Sequence, residues 1–226
     1  MNDADFNAYK SNIRTAIRRV LSQSESGRLD EAGFPAYSHR NPLINWLFWQ
    51  RLRKTMDSIE GNAPYQRVLD FGCGSGVLLP FLGSVAKNVI ALDVDLIPFE
   101  RMKQHIDFPA NIEVHDIRIF PLDQLPAASF DLITALDVLE HVEDLPGTLT
   151  GLLRLLKLNG RLIVSGPTEN IFYQIGRRVA GREYTGDYHE RGIAEIKHQL
   201  GSLARVEQIA VLYWPVPLFD LFSATI

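Results

Sequence analysis

Residues 68–76 read VLDFGCGSG, an apolar stretch that ends in three glycines at every second position. The first four residues are typical of a buried strand, and Gly72, Gly74 and Gly76 can take positive φ angles because they lack a β-carbon. The apolar segment 77–82 then predicts a helix packed on a sheet. A strand, a glycine loop and a helix in this order predict free backbone N–H groups at a helix N-terminus. The pattern indicates a nucleotide-like ligand.

Length and composition predict one α/β domain with additional segments. The chain has 226 residues, of which 46% are hydrophobic and 22% charged, as in ordinary globular proteins. No apolar run approaches the roughly 18 residues that a membrane span needs, and residues 1–10 do not resemble a secretory signal. A single cysteine, Cys73, excludes an internal disulfide framework. We therefore expect a cytoplasmic protein without a transmembrane segment.

The distribution of charge bears on the partner. The formal net charge is −4, although Lys and Arg exceed Asp and Glu by two in residues 1–60 and again in residues 170–205. A nucleic-acid-binding protein usually has an overall basic excess, so we expect no nucleic-acid partner. The two basic segments indicate either solvated helix faces or the border of a pocket for an anionic substrate.

The rest of the chain places strands and helices around the glycine loop in alternation, which predicts a parallel sheet with helical crossovers. Apolar residues at helical spacing predict a first helix over 6–21, and Asn41-Pro42 is a typical start for a second one. Asn159-Gly160 predicts a turn with Gly160 in the left-handed conformation. The predicted strands are 67–71, 88–92, 111–115, 130–136, 161–165, 206–213 and 218–225, and the predicted later helices begin at Val77 and Pro98 and span 145–158 and 191–200.

The spacing of the glycines distinguishes between nucleotide-binding families. Dinucleotide folds use G-x-G-x-x-G, whereas this loop is G-x-G-x-G with Asp70 two residues ahead of it, which disfavours an oxidoreductase. The stretch resembles motif I of the class I S-adenosylmethionine-dependent methyltransferases. The resemblance extends over residues 67–165 and, less specifically, the C-terminal hairpin. It implies a Rossmann-like, three-layer α/β/α fold whose seven-stranded sheet is mostly parallel with an antiparallel last strand, and S-adenosylmethionine as the cofactor.

The resemblance also implies which residues bind this cofactor. Asp93 ends the second strand, 21 positions beyond Gly72, where a carboxylate can accept hydrogen bonds from both ribose hydroxyls. Asp116 and Ile117 would contact the adenine, and Leu136 would lie beside the methionine moiety. The implied cofactor-binding residues are Asp70, Gly72, Cys73, Gly74, Gly76, Asp93, Val94, Asp116, Ile117 and Leu136.

Asp137, Glu140 and His141 follow the fourth strand at relative positions zero, three and four, so a helix would bring them to one face. Two carboxylates and an imidazole on one face could bind a divalent cation. Quinone-type O-methyltransferases of similar sequence have a Glu at the position of Asp137, and the shorter Asp here weakens that comparison. Alternatively, the Glu-His pair is a local hydrogen-bonding device that is widespread in the superfamily. We favour this second interpretation and predict no metal.

Methyl transfer mainly requires alignment of a nucleophile with an activated methyl group. An oxygen nucleophile also benefits from a general base, for which His141 and His189 are the candidates. In the family, the segment before the first strand and the segment after the fifth usually form the acceptor pocket. We therefore expect residues 1–60 to form a helical extension that covers the acceptor, and residues 61–226 to form the cofactor-binding domain with an insertion at 166–190.

Aromatic and basic residues in these two segments indicate the character of the acceptor. The aromatic residues predict a largely apolar or ring-shaped acceptor, and the arginines of the insertion would contact an anionic group on it. Alternatively, Trp46 and Trp49 simply pack a helix onto the sheet. The residues concerned are Trp46, Trp49, Phe172, Tyr173, Tyr184 and Tyr188, with Arg177, Arg178 and Arg182.

The sequence thus predicts a methyltransferase that acts on a small-molecule acceptor, most readily at oxygen. The alternative is a non-catalytic protein with the methyltransferase fold, because no catalytic side chain is unambiguous. Its oligomeric state is not predicted.

Overall fold

A computed structural model describes residues 1–23, 34, 37, 42–168, 192–213 and 216–226, with Ile44 and Tyr213 described by their backbone alone. Six α-helices lie in these ranges: α1 (Asp3–Gln23), α2 (Pro42–Glu60), α3 (Leu79–Val85), α4 (Ile97–Lys103), α5 (Leu145–Leu155) and α6 (Ile193–Leu203). Two short 3-10 helices span Leu122–Gln124 and Leu139–His141. The strands are β1 (Tyr65–Phe71), β2 (Ala86–Asp93), β3 (Ile112–Asp116), β4 (Phe130–Leu136), β5 (Leu156–Pro167), β6 (Arg205–Tyr213) and β7 (Pro217–Thr225).

The seven strands form one sheet in the order β3-β2-β1-β4-β5-β7-β6. Strands β1 to β5 pair in parallel, whereas β7 runs antiparallel to both of its neighbours, β5 and β6. The order reverses between β1 and β4, and ligands of open α/β sheets bind beyond the carboxyl ends of the strands at such a point. The predicted fold class, including the antiparallel last strand, is confirmed.

Helices cover both faces of the sheet, because successive strand residues point to opposite sides. In β1, Val68 belongs to the hydrophobic cluster under α1 to α4, while Leu69 belongs to the cluster under α5 and α6. Leu132 and Ile133 of β4 divide in the same way. The sheet is therefore the middle of three layers, and the predicted site residues lie at the carboxyl ends of its strands.

The two N-terminal helices are part of this core. Along α1 the buried residues are Phe6, Ile13, Ala16, Ile17 and Val20, which follow the predicted helical spacing. Trp49 of α2 is fully buried and its ring lies 6.3 Å from that of Phe6. For Trp49 the packing alternative is therefore correct, whereas Trp46 is 46% exposed. The role of residues 1–60 as an acceptor cover stays a prediction.

Element boundaries agree with the sequence best where the strands are buried. The fourth strand was predicted over the residues that form β4, but the helix predicted over 145–158 ends at Leu155. The predicted turn at 159–160 lies instead within β5, where the register with β4 is irregular, and the left-handed residue there is Asn159, with φ 65°, and not Gly160. A Cβ on Gly160 would lie 2.9 Å from the carbonyl oxygens of Lys157 and Phe130, so this glycine is needed for space. The helices predicted from 77 and over 191–200 are displaced by two to three residues.

Within the described ranges, the structure contains no helix that is both long and apolar enough to cross a membrane.

Candidate functional site

The three glycines of the loop after β1 all have left-handed backbones, with φ of 78° at Gly72, 52° at Gly74 and 74° at Gly76. Non-glycine residues rarely adopt this conformation. At Gly72 space is also lacking, because an added Cβ would lie 2.4 Å from Val138 Cγ2. The chain that leaves β4 therefore packs directly on the glycine loop, and this brings the carboxyl ends of β1 and β4 together.

The amide groups of the glycine loop differ from the prediction. The N–H groups of Gly72 and Cys73 donate to the carbonyl of Leu92 at 2.8 and 3.1 Å, and Gly76 donates to Cys73 at 2.8 Å. The Gly74 N–H donates to Asp93 Oδ2 at 2.7 Å. The prediction placed free N–H groups at the N-terminus of the following helix, whereas these four amides of the preceding loop are bound by acceptors of the fold. The loop is instead tied to the end of β2.

Asp93 ends β2 with its carboxylate held on both sides. Oδ2 accepts from Gly74, and Oδ1 accepts from the Asp95 N–H at 3.0 Å. The Asp93 carbonyl accepts from the Ile117 N–H at 3.0 Å, which places the residues after β3 beside it. Val94 follows with 58% of its surface exposed. An oriented carboxylate next to an exposed apolar side chain is the arrangement that a ribose and a base would need.

Asp116 pairs with Asp93 in the register of β2 and β3. Its carboxylate accepts from the Arg118 guanidinium at 2.6 and 2.9 Å and from the Arg118 N–H at 2.9 Å. These hydrogen bonds from Arg118 hold the pKa of Asp116 below its usual value. The residues predicted for ribose and adenine thus lie at the same edge of the sheet.

Asp70 is buried under the glycine loop, where Thr134 Oγ1 donates to its Oδ1 at 2.6 Å. Burial raises the pKa of Asp70 to about 7, although the Thr134 hydrogen bond acts against this shift. Burial also raises the pKa of the neighbouring Cys73 thiol. A buried thiol with a raised pKa is a poor nucleophile, so Cys73 has a packing role.

The N-terminal layer reaches this loop through Tyr9 of α1. The Tyr9 hydroxyl donates to the carbonyl of Val77, which follows the last glycine. Burial of the hydroxyl raises the pKa of Tyr9 above its usual value, so it remains a donor at all physiological pH values.

The residues after β4 do not form the predicted helical face. Asp137 has φ 54°, and only Leu139–His141 form a single 3-10 turn. Glu140 is 2% exposed, whereas the neighbouring His141 is exposed. Burial raises the pKa of Glu140, against the influence of His141 and Arg51. Among the described residues no three His, Cys, Asp or Glu side chains lie close enough together to hold a metal ion.

Asp137 instead pairs with a buried arginine that sequence reasoning missed. Arg51 of α2 is 4% exposed and its Nη1 makes an ion pair with Asp137 Oδ2. Ser165 of β5 donates through Oγ to Asp137 Oδ1 at 3.0 Å and accepts through its carbonyl from the Asp137 N–H at 2.9 Å. Arg51 Nη2 donates to the Tyr37 hydroxyl at 2.7 Å. The side chain and the backbone of Asp137 are thus both fixed.

Apolar rings surround the Arg51 guanidinium. Its central carbon lies 5.4 Å from the ring centre of Phe48 and 5.8 Å from that of Phe219. Among the described residues, Arg51 Nε and Glu140 Oε2 are buried without a hydrogen-bond partner. The one sequence signal for Arg51 was its position between Leu47 and Thr55, at intervals of four on the buried side of α2.

The remaining predicted site residues are placed as follows. Leu136, at the carboxyl end of β4, is partly buried beside the glycine loop. His189 lies outside the described residues. So do the other predicted acceptor residues of the insertion, Phe172, Tyr173, Arg177, Arg178, Arg182, Tyr184 and Tyr188. The structure therefore brings together the predicted cofactor residues and adds Arg51 and Ser165 next to Leu136.

Comparisons with known proteins agree with this architecture. Over 160 residues the chain is 29% identical to the ubiquinone biosynthesis O-methyltransferase of Acinetobacter baylyi, covering 66% of this chain and 63% of that protein. It is 26% identical over 192 residues to the protein of the same name from Pseudomonas fluorescens, covering 80% of this chain and 76% of that protein. The chain thus spans a little under two thirds of the length of the Acinetobacter relative.

A solved structure extends the comparison to the fold. The magnesium protoporphyrin IX methyltransferase ChlM from Synechocystis, solved with bound SAH, superposes with a TM-score of 0.58 at 18% identity and covers 93% of both chains. The sequence family described as a methyltransferase domain matches residues 14–214, which is most of the chain. This chain therefore belongs to the class I S-adenosylmethionine-dependent methyltransferases.

Proposed function

We propose that this protein transfers a methyl group from S-adenosylmethionine to a hydroxyl oxygen of a small-molecule acceptor. The observation that carries the proposal is the doubly held carboxylate of Asp93, beside three left-handed glycines at the carboxyl edge of the sheet. Bound there, the cofactor would supply a sulfonium-activated methyl group. The choice of oxygen as the methylated atom is supported by the printed names of the relatives, which are O-methyltransferases.

The residues present suit this cofactor. The Asp93 carboxylate would accept from the ribose hydroxyls, since each of its oxygens has a further lone pair beyond its one amide partner. Val94 and Ile117 would flank the adenine, with Asp116 as acceptor of its amino group. The methionine moiety would lie against main-chain atoms of the glycine loop, because Gly72, Gly74 and Gly76 have no side chains.

The chain's contribution to the reaction would be alignment and exclusion of water. His141 and His189 stay the predicted general bases. His141 is exposed at the end of the 3-10 turn, so acting as the base would require the acceptor to extend to that surface. The Arg51–Asp137 pair is near the glycine loop, because Val138, the residue after Asp137, packs on Gly72.

The test of the cofactor assignment is isothermal titration of the protein with S-adenosylmethionine and, separately, with NAD. We expect binding of the first alone. Replacement of Asp93 by Ala removes two hydrogen bonds to a charged group and should weaken binding by about 2–4 kcal/mol. Asp95→Ala is the matched control, because Asp95 is exposed and its carboxylate accepts a hydrogen bond from the Ile97 N–H.

Equal affinity in the Asp93→Ala variant, or a loss in Asp95→Ala instead, would show that the ribose assignment is wrong. A second assay separates an enzyme from the alternative of a non-catalytic binding protein. Release of S-adenosylhomocysteine in the presence of hydroxylated acceptors supports catalysis. Cofactor binding without any release across a broad acceptor panel supports the alternative.

A further inference from the structure

The Arg51–Asp137 ion pair lies at the carboxyl end of β4, on the side of the sheet where the proposed cofactor would bind. Asp137 directly follows the last residue of β4, and the next side chain, Val138, packs on Gly72 of the glycine loop. The Asp137 carboxylate is 23% exposed, while its arginine partner is 5% exposed. The pair thus presents its anionic member to the surface of the site and keeps its cationic member inside.

Stability alone does not account for this arrangement. Removing a guanidinium from water is costly, and a buried ion pair rarely repays that cost over apolar residues of similar size. Arg51 Nε has no hydrogen-bond partner among the described residues, which adds to the cost. Asp137 also adopts φ 54°, a conformation that is less favourable than the extended one. Such features concentrate at functional positions.

The carboxylate retains capacity for a further hydrogen bond. An ionised carboxylate offers about four acceptor positions. Asp137 Oδ2 is paired with Arg51 and Oδ1 accepts from Ser165 at 3.0 Å, so each oxygen has one partner among the described residues. The charge of Arg51 is already balanced by Asp137, and therefore the pair favours a neutral hydroxyl donor over an anionic acceptor group.

We infer that Asp137 binds the acceptor hydroxyl and takes its proton, and that Arg51 is the positioning residue that holds Asp137. This inference rests on the proposed function. As the acceptor oxygen bonds to the methyl carbon, the carbon–sulfur bond breaks with its electron pair left on sulfur, and the hydroxyl proton passes to Asp137 and then to solvent. In this step Asp137 replaces His141 and His189, the two general bases predicted from the sequence.

The experiment compares hydroxyl compounds with their methyl ethers, which lack the donor proton. Phenol, catechol and benzyl alcohol are each titrated, beside anisole, 1,2-dimethoxybenzene and benzyl methyl ether, into protein saturated with S-adenosylhomocysteine, and binding is followed by NMR. We expect hydroxyl compounds to bind more tightly than the ethers. In Asp137→Asn the affinity for the hydroxyl compounds should fall roughly 10- to 100-fold, with ether binding unchanged.

The matched control is Asp131→Asn, which removes the same charge from the other end of β4, where Asp131 pairs with Lys157. It should leave hydroxyl binding unchanged. Loss of ether and hydroxyl binding together in Asp137→Asn, an equal effect of Asp131→Asn, or no binding of any hydroxyl compound to the wild type would overturn the inference. Failure of S-adenosylhomocysteine to bind the wild type would instead contradict the proposed function.

A second variant tests the role of Asp137 without leaving Arg51 as an unpaired buried charge, which could prevent folding. Arg51→Met combined with Asp137→Asn removes both charges together, so no buried charge is left without its partner. This variant should fold and bind S-adenosylhomocysteine while losing the preference for hydroxyls over ethers. Retention of that preference would overturn the role of Asp137. Arg51→Lys alone, with Asp137 intact, should keep part of the preference, because it leaves a cation beside Asp137 but lacks the planar geometry of a guanidinium.

Discussion

Strand β4 has an aspartate near each end that pairs with a cation from another element. At the amino end, Asp131 accepts from Lys157 Nζ at 2.7 Å and from the N–H groups of Gln66 and Arg67 at 2.9 and 2.8 Å. Lys157 is 36% exposed there. At the carboxyl end, Asp137 pairs with a fully enclosed Arg51. The two ends thus use the same chemistry in opposite surroundings.

The difference separates a structural carboxylate from a functional one. Burial acts against the charged form of Asp131, but the hydrogen bonds from Lys157, Arg67 and Gln66 outweigh it and hold the pKa of Asp131 below its usual value. Asp131 joins the beginnings of three strands without backbone strain. Asp137 has a left-handed backbone and a costly partner. Unfavourable backbone conformations and buried charges of this kind are typical of the carboxyl ends of the strands, where ligands bind.

The largest effect on stability is expected when the aspartate of each ion pair is replaced. Asp137→Ala leaves Arg51 as a buried charge without its partner, and the free energy of unfolding should fall by about 3–5 kcal/mol. Asp131→Ala leaves Lys157 free to reach water, and the loss should be about 1–2 kcal/mol. Urea denaturation measures both. Equal losses would mean that the surroundings of the two pairs matter less than we argue.

The sequence predicted those features of β4 and its surroundings that depend on neighbouring residues, and it missed those that depend on residues far apart in the chain. The apolar character of Phe130–Leu136, of which five of seven residues are buried, is a local signal, and so this strand was predicted residue for residue. The glycine spacing and Asp93 were also local signals, and the structure places both at one edge. The Arg51–Asp137 pair joins residues 86 positions apart, and no short-range pattern specifies it. Similarly, the glycines predicted a permissive backbone but not the carbonyl of Leu92, which occupies two of the amides.

A second prediction concerns pH, because the carboxyl end also encloses Asp70 without a cation. The native state raises the pKa of Asp70 from 3.8 to about 7, so it binds the proton more tightly than the unfolded state does. This contribution to stability is complete below about pH 4 and is lost as the pH rises through about 7. Between about pH 5 and pH 8.5 the loss should be about 3 kcal/mol.

The test of Asp70 is the variant Asp70→Asn, which keeps an acceptor for Thr134 but has no proton to lose. Urea denaturation at both pH values should show a smaller dependence on pH in this variant than in the wild type. The Asp131→Asn variant, at the opposite end, should keep the wild-type loss at alkaline pH. A wild type whose stability does not change over this range would contradict the raised pKa.

The third prediction tests the close contact that joins β1 to β4 at the carboxyl end. Gly72→Ala places a Cβ 2.4 Å from Val138 in a left-handed backbone, and should cost about 2–4 kcal/mol of stability and weaken cofactor binding. Gly201→Ala is the control, because Gly201 lies in α6 with no atom within 4 Å of an added Cβ. It should stabilise by about 0.5–1 kcal/mol. Thermal denaturation and titration with S-adenosylmethionine measure both variants.

The smallest effect is expected at the amino end of β4, where a residue with a left-handed backbone lies away from the proposed cofactor site. Ala128 precedes β4 with φ 49°, and its side chain is exposed. Its backbone N–H donates to the carbonyl of Arg154 at 3.0 Å, a bond that glycine keeps. Ala128→Gly relieves the backbone strain but increases the conformational entropy of the unfolded chain. It should therefore raise the free energy of unfolding by no more than about 1 kcal/mol. Cofactor affinity should not change, because relief of strain at this end does not reach the glycine loop. A gain in stability accompanied by weaker binding would show that the two ends of β4 are coupled.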